Sequence, residues 1–87
     1  MSEDKLRQEL EHLRSEVAKL ADDDTAGRER LNKVIEQLEK RLSEDEENDD
    51  ETLFEQLRES ISHFETEHPR ATAVLNDIMV TLSNMGI

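Results

Sequence analysis

The C-terminal segment, residues 68–87, is the least polar part of the chain and constrains the fold most. Within residues 71–87, ten of seventeen residues are apolar and Asp77 alone carries a charged side chain. At about 100° per residue, one broad helical face collects Ala71, Val74, Leu75, Ile78, Met79, Leu82 and Met85. Ala73 and Val80 lie nearly opposite. A helix that is apolar on two sides needs more than one packing partner, so we predict that the other segments pack around it.

Two narrower apolar stripes in the N-terminal half also have a helical period. Their members are Leu6, Leu10, Leu13, Val17 and Leu20 in the first, and Leu31, Ile35, Leu38 and Leu42 in the second. Between them, residues 22–27 hold three aspartates, a threonine and a glycine, which predicts a turn and an antiparallel hairpin. Asp23 or Asp24 can cap the second helix. The eleven residues from Leu20 to Leu31 also keep one unbroken helix in phase, so that alternative stays open.

Residues 43–51 hold seven acidic residues in nine positions and no basic residue. Mutual repulsion opposes any compact form, so we predict a flexible acidic linker over residues 44–51. Carboxylates are also calcium ligands, but the run lacks the glycine and the spaced ligand positions of an EF-hand loop. The pattern therefore favours a solvated linker over a calcium site.

Local signals after the linker predict two further helices. Thr52 and Glu55 form a capping-box pattern at the start of the first. Its apolar face consists of Phe54, Leu57, Ile61 and Phe64. This helix should end before Pro69, which suits the first position of the next helix. At the far end, Gly86 is suited to the left-handed conformation that terminates many helices.

Together these patterns predict an all-α fold built from two helical hairpins. The predicted helices span about 3–21, 25–43, 52–67 and 69–85. The predicted organisation is an N-terminal hairpin over 1–43, the linker over 44–51 and a C-terminal hairpin over 52–87. We expect the helices to assemble as a helix bundle or a coiled-coil-like structure.

The C-terminal part, from Leu57 onward, contains a His68-Pro69 corner and the ending Leu82, Ser83, Asn84, Met85, Gly86 and Ile87. In these features it resembles a family of small acidic bacterial proteins known only as a domain of unknown function. Members also share a helical N-terminal half and a variable acidic middle. The resemblance implies a bacterial source and a helical fold. It implies no function, because the family has no established activity.

Charge and composition restrict the classes of partner. The 23 acidic and 11 basic residues give a formal net charge of −12, which disfavours binding to nucleic acid or to an anionic membrane. A protein partner with a basic surface is easier to accommodate. No apolar run approaches transmembrane length, and the N-terminus lacks the apolar core of a signal peptide. We therefore expect a cytoplasmic protein.

The candidate catalytic and metal-binding residues do not form a recognisable site. Glu59, His63 and Glu67 recur every four residues, but the outer two would lie about 12 Å apart on a straight helix and could not share one ion. His12 is expected on the surface, and His68 is expected to stabilise the corner. The serines and histidines show no spacing that combines a nucleophile, a base and an oxyanion site. We predict no catalytic, metal or cofactor site.

The sequence instead predicts a non-enzymatic protein–protein interaction module. The alternative is an acidic regulator or decoy that binds a basic surface through residues 44–51. Because the N-terminal stripes are only wide enough to cover each other, we expect a second copy to cover the last helix and form a homodimer. A four-helix bundle within one chain is the other possibility. The predicted interaction residues are Ala73, Val74, Met79, Val80, Leu82, Met85 and Ile87.

Overall fold

Four helices account for most of the computed structural model, which describes residues 2–43 and 50–86. They are α1 (Ser2–Ala18), α2 (Thr25–Leu42), α3 (Asp50–Phe64) and α4 (Pro69–Asn84). Both α1 and α3 pack against α2 and α4, so the helices form a ring around one core. Short connections make successive helices antiparallel. The fold is an antiparallel four-helix bundle with extents of 35 × 22 × 19 Å.

The predicted break between the first two helices is confirmed, and α1 ends at Ala18 rather than near residue 21. The backbone N–H groups of Lys19 and Leu20 bond to carbonyl oxygens three residues earlier, at 3.1 and 3.2 Å. This tighter turn ends the helix. The alternative of one unbroken helix is excluded, because α1 and α2 pack side by side.

The starts of α2 and α4 coincide with the predicted residues 25 and 69, and the remaining helix boundaries differ from the predicted ones by one to three residues. α3 begins at Asp50. Asp50 and Glu51 place carboxylates in its first turn, where they interact favourably with the positive end of the helix dipole. Thr52 therefore lies inside α3 rather than at its N-cap. α3 ends at Phe64 rather than at residue 67, and α2 and α4 each end one residue before the predicted position. Of the predicted linker, residues 44–49 lie outside the described residues.

Asp24 caps the start of α2 together with Gly27. The Asp24 Oδ1 atom accepts a hydrogen bond of 2.9 Å from the backbone N–H of Gly27. A Cβ atom on Gly27 would lie 2.7 Å from Asp24 Oδ2, so a larger residue would displace the carboxylate. Gly27, which the sequence suggests as part of a helix-breaking turn, is thus a component of the helix cap.

We expect Asp24→Ala to lower the free energy of unfolding by about 1 kcal/mol, because the first turn of α2 loses its side-chain acceptor. Urea denaturation measures the change. Asp23→Ala is the matched control, since Asp23 is exposed one residue earlier and the substitution removes the same charge. The control should change stability by less than about 0.5 kcal/mol. Equal losses for the two variants would contradict the capping role.

The core is one continuous cluster with side chains from all four helices. Its fully buried leucines are Leu6, Leu13, Leu31, Leu38, Leu57, Leu75 and Leu82. The sequence predicts that the N-terminal stripes cover only each other, and the structure differs. α1 buries a wider face, because Glu9 lies beside the leucines and contacts α4. The single-chain four-helix bundle is therefore the arrangement found.

The predicted first residue of α4 and the predicted left-handed conformation of Gly86 are confirmed. Pro69 is its first residue, and the carbonyl of His68 accepts hydrogen bonds from the backbone N–H and the hydroxyl of Thr72, at 3.1 and 3.0 Å. At the other end Gly86 has φ = 84°, a left-handed conformation that suits glycine, and its N–H bonds to the carbonyl of Ser83. None of the described helices is long and apolar enough to cross a membrane.

Candidate functional site

The residues predicted to form an interaction surface occupy different environments. Leu82 is fully buried in the core and is covered within the chain. Three of the residues are half-buried and pack against the core, namely Val74, Met79 and Met85. Ala73 and Val80 are exposed on the side of α4 that faces away from the bundle. Ile87 lies outside the described residues.

The exposed side of α4 carries no net formal charge. Its residues are Pro69, Arg70, Ala73, Asn76, Asp77, Val80, Ser83 and Asn84, and we call this set the outer face of α4. Val80 is 56% exposed and is the one large apolar side chain with such exposure in residues 2–43 and 50–86. The charges of Arg70 and Asp77 cancel on the outer face, whereas the whole chain has a formal net charge of −12. The exposed valine and the balanced charge distinguish the outer face from the rest of the described surface.

A groove of about 400 Å³ between α1 and α4 borders the outer face. It is lined by His12, Ser15, Glu16, Lys19, Arg70, Ala73 and Val74. Ala73 belongs to both the groove and the outer face, so the two surfaces are continuous. A partner seated on α4 would therefore also reach part of α1.

His68 joins three parts of the bundle at one end. Its backbone N–H donates a 2.8 Å hydrogen bond to the carbonyl of Phe64, the last residue of α3. Its ring lies edge-on to the Phe64 ring at 5.3 Å between centroids, and its Nε2 atom is 3.8 Å from Asp24 Oδ2. The His68 side chain makes no capping hydrogen bond to α4. These contacts hold the corner in place, as the predicted structural role of His68 requires.

The candidate metal ligands do not converge. Glu59 and His63 are exposed on α3, whereas Glu67 lies beyond the end of that helix. His12 is exposed on α1, as predicted. In the part of the chain that the structure describes, no group of three or more His, Cys, Asp or Glu side chains is placed to hold a metal ion.

The carboxylate of Glu9 is buried between α1 and α4, and the sequence patterns did not predict its burial. Glu9 is 7% exposed, and its Oε1 accepts a hydrogen bond of 2.5 Å from the hydroxyl of Thr81, which is 2% exposed. The Oε2 atom of Glu9 is buried without a hydrogen-bond partner. A signal was present in the sequence, since Glu9 follows Leu6 by three residues and precedes Leu13 by four, on the same helical stripe.

A polar cleft of about 260 Å³ lies between α2 and α3, and we call it the α2/α3 cleft. It is lined by Ala26, Glu29, Arg30, Lys33, Gln56, Glu59 and Ser60. Three buried atoms of this lining have no hydrogen-bond partner, namely Arg30 Nε, Gln56 Oε1 and Ser60 Oγ. Ala26 and Ser60 are small, which leaves space where larger side chains would close the helices together. The cleft could not be predicted from the sequence, because its two walls are about 30 residues apart in the chain.

The described residues form an all-α antiparallel four-helix bundle with an exposed valine on the outer face of α4 and a polar cleft between α2 and α3. The chain belongs to the family described as Domain of unknown function (DUF4404), whose sequence model matches residues 6–87. Membership of a family of unknown function confirms the resemblance noted in the sequence. No curated protein and no solved structure matches the chain.

Proposed function

We propose that this protein is a cytoplasmic, non-enzymatic interaction module that forms a homodimer through the outer face of α4. The observation that carries the proposal is the 56% exposure of Val80 on a helix face whose two charged residues, Arg70 and Asp77, cancel in formal charge. A two-fold contact removes two copies of Val80 from water, which is favourable for apolar surface. The small side chains of Ala73 and Ser83 permit close approach of two helices.

The charge distribution favours contact between two copies of the chain at the outer face of α4 rather than at another part of the surface. Each copy carries a formal net charge of −12, so most contacts between copies bring like charges together. Repulsion between exposed charges decays over about 8 Å at physiological ionic strength, so the charges nearest the contact contribute most. The outer face brings Arg70 and Asp77 of each copy to the contact, and their formal charges cancel. Self-association there therefore meets little repulsion.

We expect the wild-type chain to have about twice its 10.1 kDa mass by light scattering and Val80→Glu to have about 10.1 kDa. The new carboxylate would lose its hydration at the contact without gaining a partner. Because Val80 is exposed within one chain, the variant should keep its helical circular dichroism. Any loss of stability should come from lost dimerisation.

Asn32→Glu is the matched control for this experiment. Asn32 is an exposed, uncharged residue on α2, so the substitution adds the same charge away from the outer face. The control should remain dimeric. A wild-type chain that stays at 10.1 kDa over the whole soluble concentration range would refute the homodimer, as would equal dissociation of both variants.

The acidic run supports a second candidate function, an acidic regulator or decoy that binds a basic protein surface through residues 44–51. Seven acids within residues 43–51 supply the charge for such binding. Salt distinguishes the two candidates. Apolar association should persist at about 0.5 M salt, whereas binding through exposed carboxylates should weaken greatly as the Debye length falls to a few ångströms.

A further inference from the structure

The outer face of α4 carries a protruding side chain and a hollow at equal distances from the middle of the helix. Val80 is the protruding side chain, at 56% exposure. Ala73 is exposed but small, and it lines the groove of about 400 Å³ between α1 and α4. Seven residues, almost two helical turns, separate the two positions, so both lie along the same line of α4. Since α4 runs from Pro69 to Asn84, its midpoint lies halfway between Ala73 and Val80.

An antiparallel copy of α4 laid along the outer face would therefore place its Val80 against Ala73. A two-fold axis at the midpoint gives this contact twice, because each copy supplies one valine and one alanine. The two helices then overlap along all 16 residues of α4, which is the largest overlap that two copies of this helix can have. A large overlap favours a stable dimer, since such dimers bury about 800 Å² on each partner.

The polar residues of the outer face are compatible with the same arrangement. Asn76 and Asp77 flank the midpoint, so the amide of Asn76 would face the carboxylate of Asp77 in the second copy and could donate a hydrogen bond to it. Arg70 would face Ser83, which is uncharged. The two charged side chains of the outer face therefore avoid direct contact with a like charge.

Three other arrangements of two α4 helices are less favourable. A parallel pair brings Arg70 to Arg70 and Asp77 to Asp77, which repel each other. An antiparallel pair with Val80 against Val80 overlaps only along residues 76–84, about half of α4. An antiparallel pair with Arg70 against Asp77 gains two exposed ion pairs, but it places Val80 against Glu67, which precedes α4. Exposed ion pairs contribute little compared with burial of an apolar side chain.

We propose that two copies of the chain pair their α4 helices antiparallel, with Val80 of each copy packed against Ala73 of the other. This inference rests on the proposed homodimer and adds its orientation and register. At about 1.5 Å per residue, the two Val80 residues would lie about 10 Å apart along the helix axis, and so would the two Ala73 residues. Only the unlike pair is then close enough for a disulfide, which needs Cα atoms within about 7 Å of each other.

Disulfide formation between engineered cysteines tests the register, because the chain has no cysteine of its own. Ala73→Cys and Val80→Cys, one of them with an affinity tag, are mixed in urea, refolded together and oxidised. We expect a disulfide between the two variants, and a yield at least tenfold lower when either variant is oxidised alone. An equal or higher yield from either variant alone would overturn the proposal. A higher yield from a mixture of Arg70→Cys and Asp77→Cys would overturn it as well.

Asn32→Cys mixed with Ala73→Cys is the matched control, since Asn32 is exposed on α2 and only random collision would link it to Ala73→Cys. Light scattering of the wild-type chain separates the register from the homodimer itself. A wild-type dimer in which the yield for Ala73→Cys with Val80→Cys does not exceed the control refutes the register alone. A wild-type monomer refutes both the register and the homodimer.

Discussion

Phe64→Ala should lower the free energy of unfolding by about 3–5 kcal/mol, the usual cost of deleting a buried phenylalanine ring. Phe64 is the largest fully buried side chain among the described residues. Its ring also lies edge-on to the rings of His63 and His68, at centroid distances of 4.7 and 5.3 Å. Since small domains have about 5–15 kcal/mol of total stability, this one substitution should remove a large part of it.

Phe54→Ala is the matched control, because it deletes the same atoms from the same helix. Phe54 is only partly buried and packs against the edge of the core. Phe54→Ala should therefore lower the free energy of unfolding by less than half as much as Phe64→Ala. Fewer contacts are lost at Phe54, and water fills the vacated space. Urea denaturation followed by circular dichroism measures both variants. Equal losses of stability in the two variants would show that Phe64 contributes no more to the core than Phe54 does.

Thr81→Val should lower the free energy of unfolding by about 1.5–3 kcal/mol, although valine has nearly the same shape as threonine. The substitution removes the hydroxyl that donates to Glu9 Oε1. Since Glu9 Oε2 is already without a partner, both oxygens of a buried carboxylate would then be unpaired. A buried charge that loses its partner destabilises a fold more strongly than a neutral group does.

The double variant Glu9→Met with Thr81→Val should recover most or all of that loss. Replacing both members of a buried polar pair by apolar side chains removes the unsatisfied groups and retains packing. The four proteins of the double-mutant cycle, unfolded in urea, give the coupling energy between the two side chains. A double variant less stable than Thr81→Val would show that the carboxylate has favourable contacts beyond Thr81.

Features set by local chemistry could be predicted from the sequence. Pro69 and Gly86 define the ends of α4 through constraints on their own backbone dihedrals. Asp24 was among the predicted caps because an N-cap acts over three residues. The apolar stripes predicted which leucines enter the core. In each case the deciding interaction lies within one helix or one turn.

Features set by contacts between distant segments could not be predicted in this way. Glu9 and Thr81 are 72 residues apart, so although Glu9 lies on the leucine stripe of α1, nothing in the sequence pairs it with Thr81. The α2/α3 cleft is lined by residues from two helices that are distant in the sequence, Ala26 in α2 and Ser60 in α3 among them. For the candidate interaction surface, periodicity placed Val80 opposite the main apolar face of the last helix, where the structure leaves it exposed. Periodicity could not show that Leu82 is covered by the rest of the bundle.

The buried hydrogen bond from Thr81 to Glu9 also affects the handedness of the bundle. Four antiparallel helices can close into a ring in two ways, which are opposite in handedness. The side of α1 that packs against α4 in one arrangement packs against α2 in the other. Glu9 lies on the side of α1 that contacts α4, so the opposite arrangement would turn it toward α2 and separate its carboxylate from Thr81. The hydrogen bond between Thr81 and Glu9 therefore favours the observed arrangement over the opposite one.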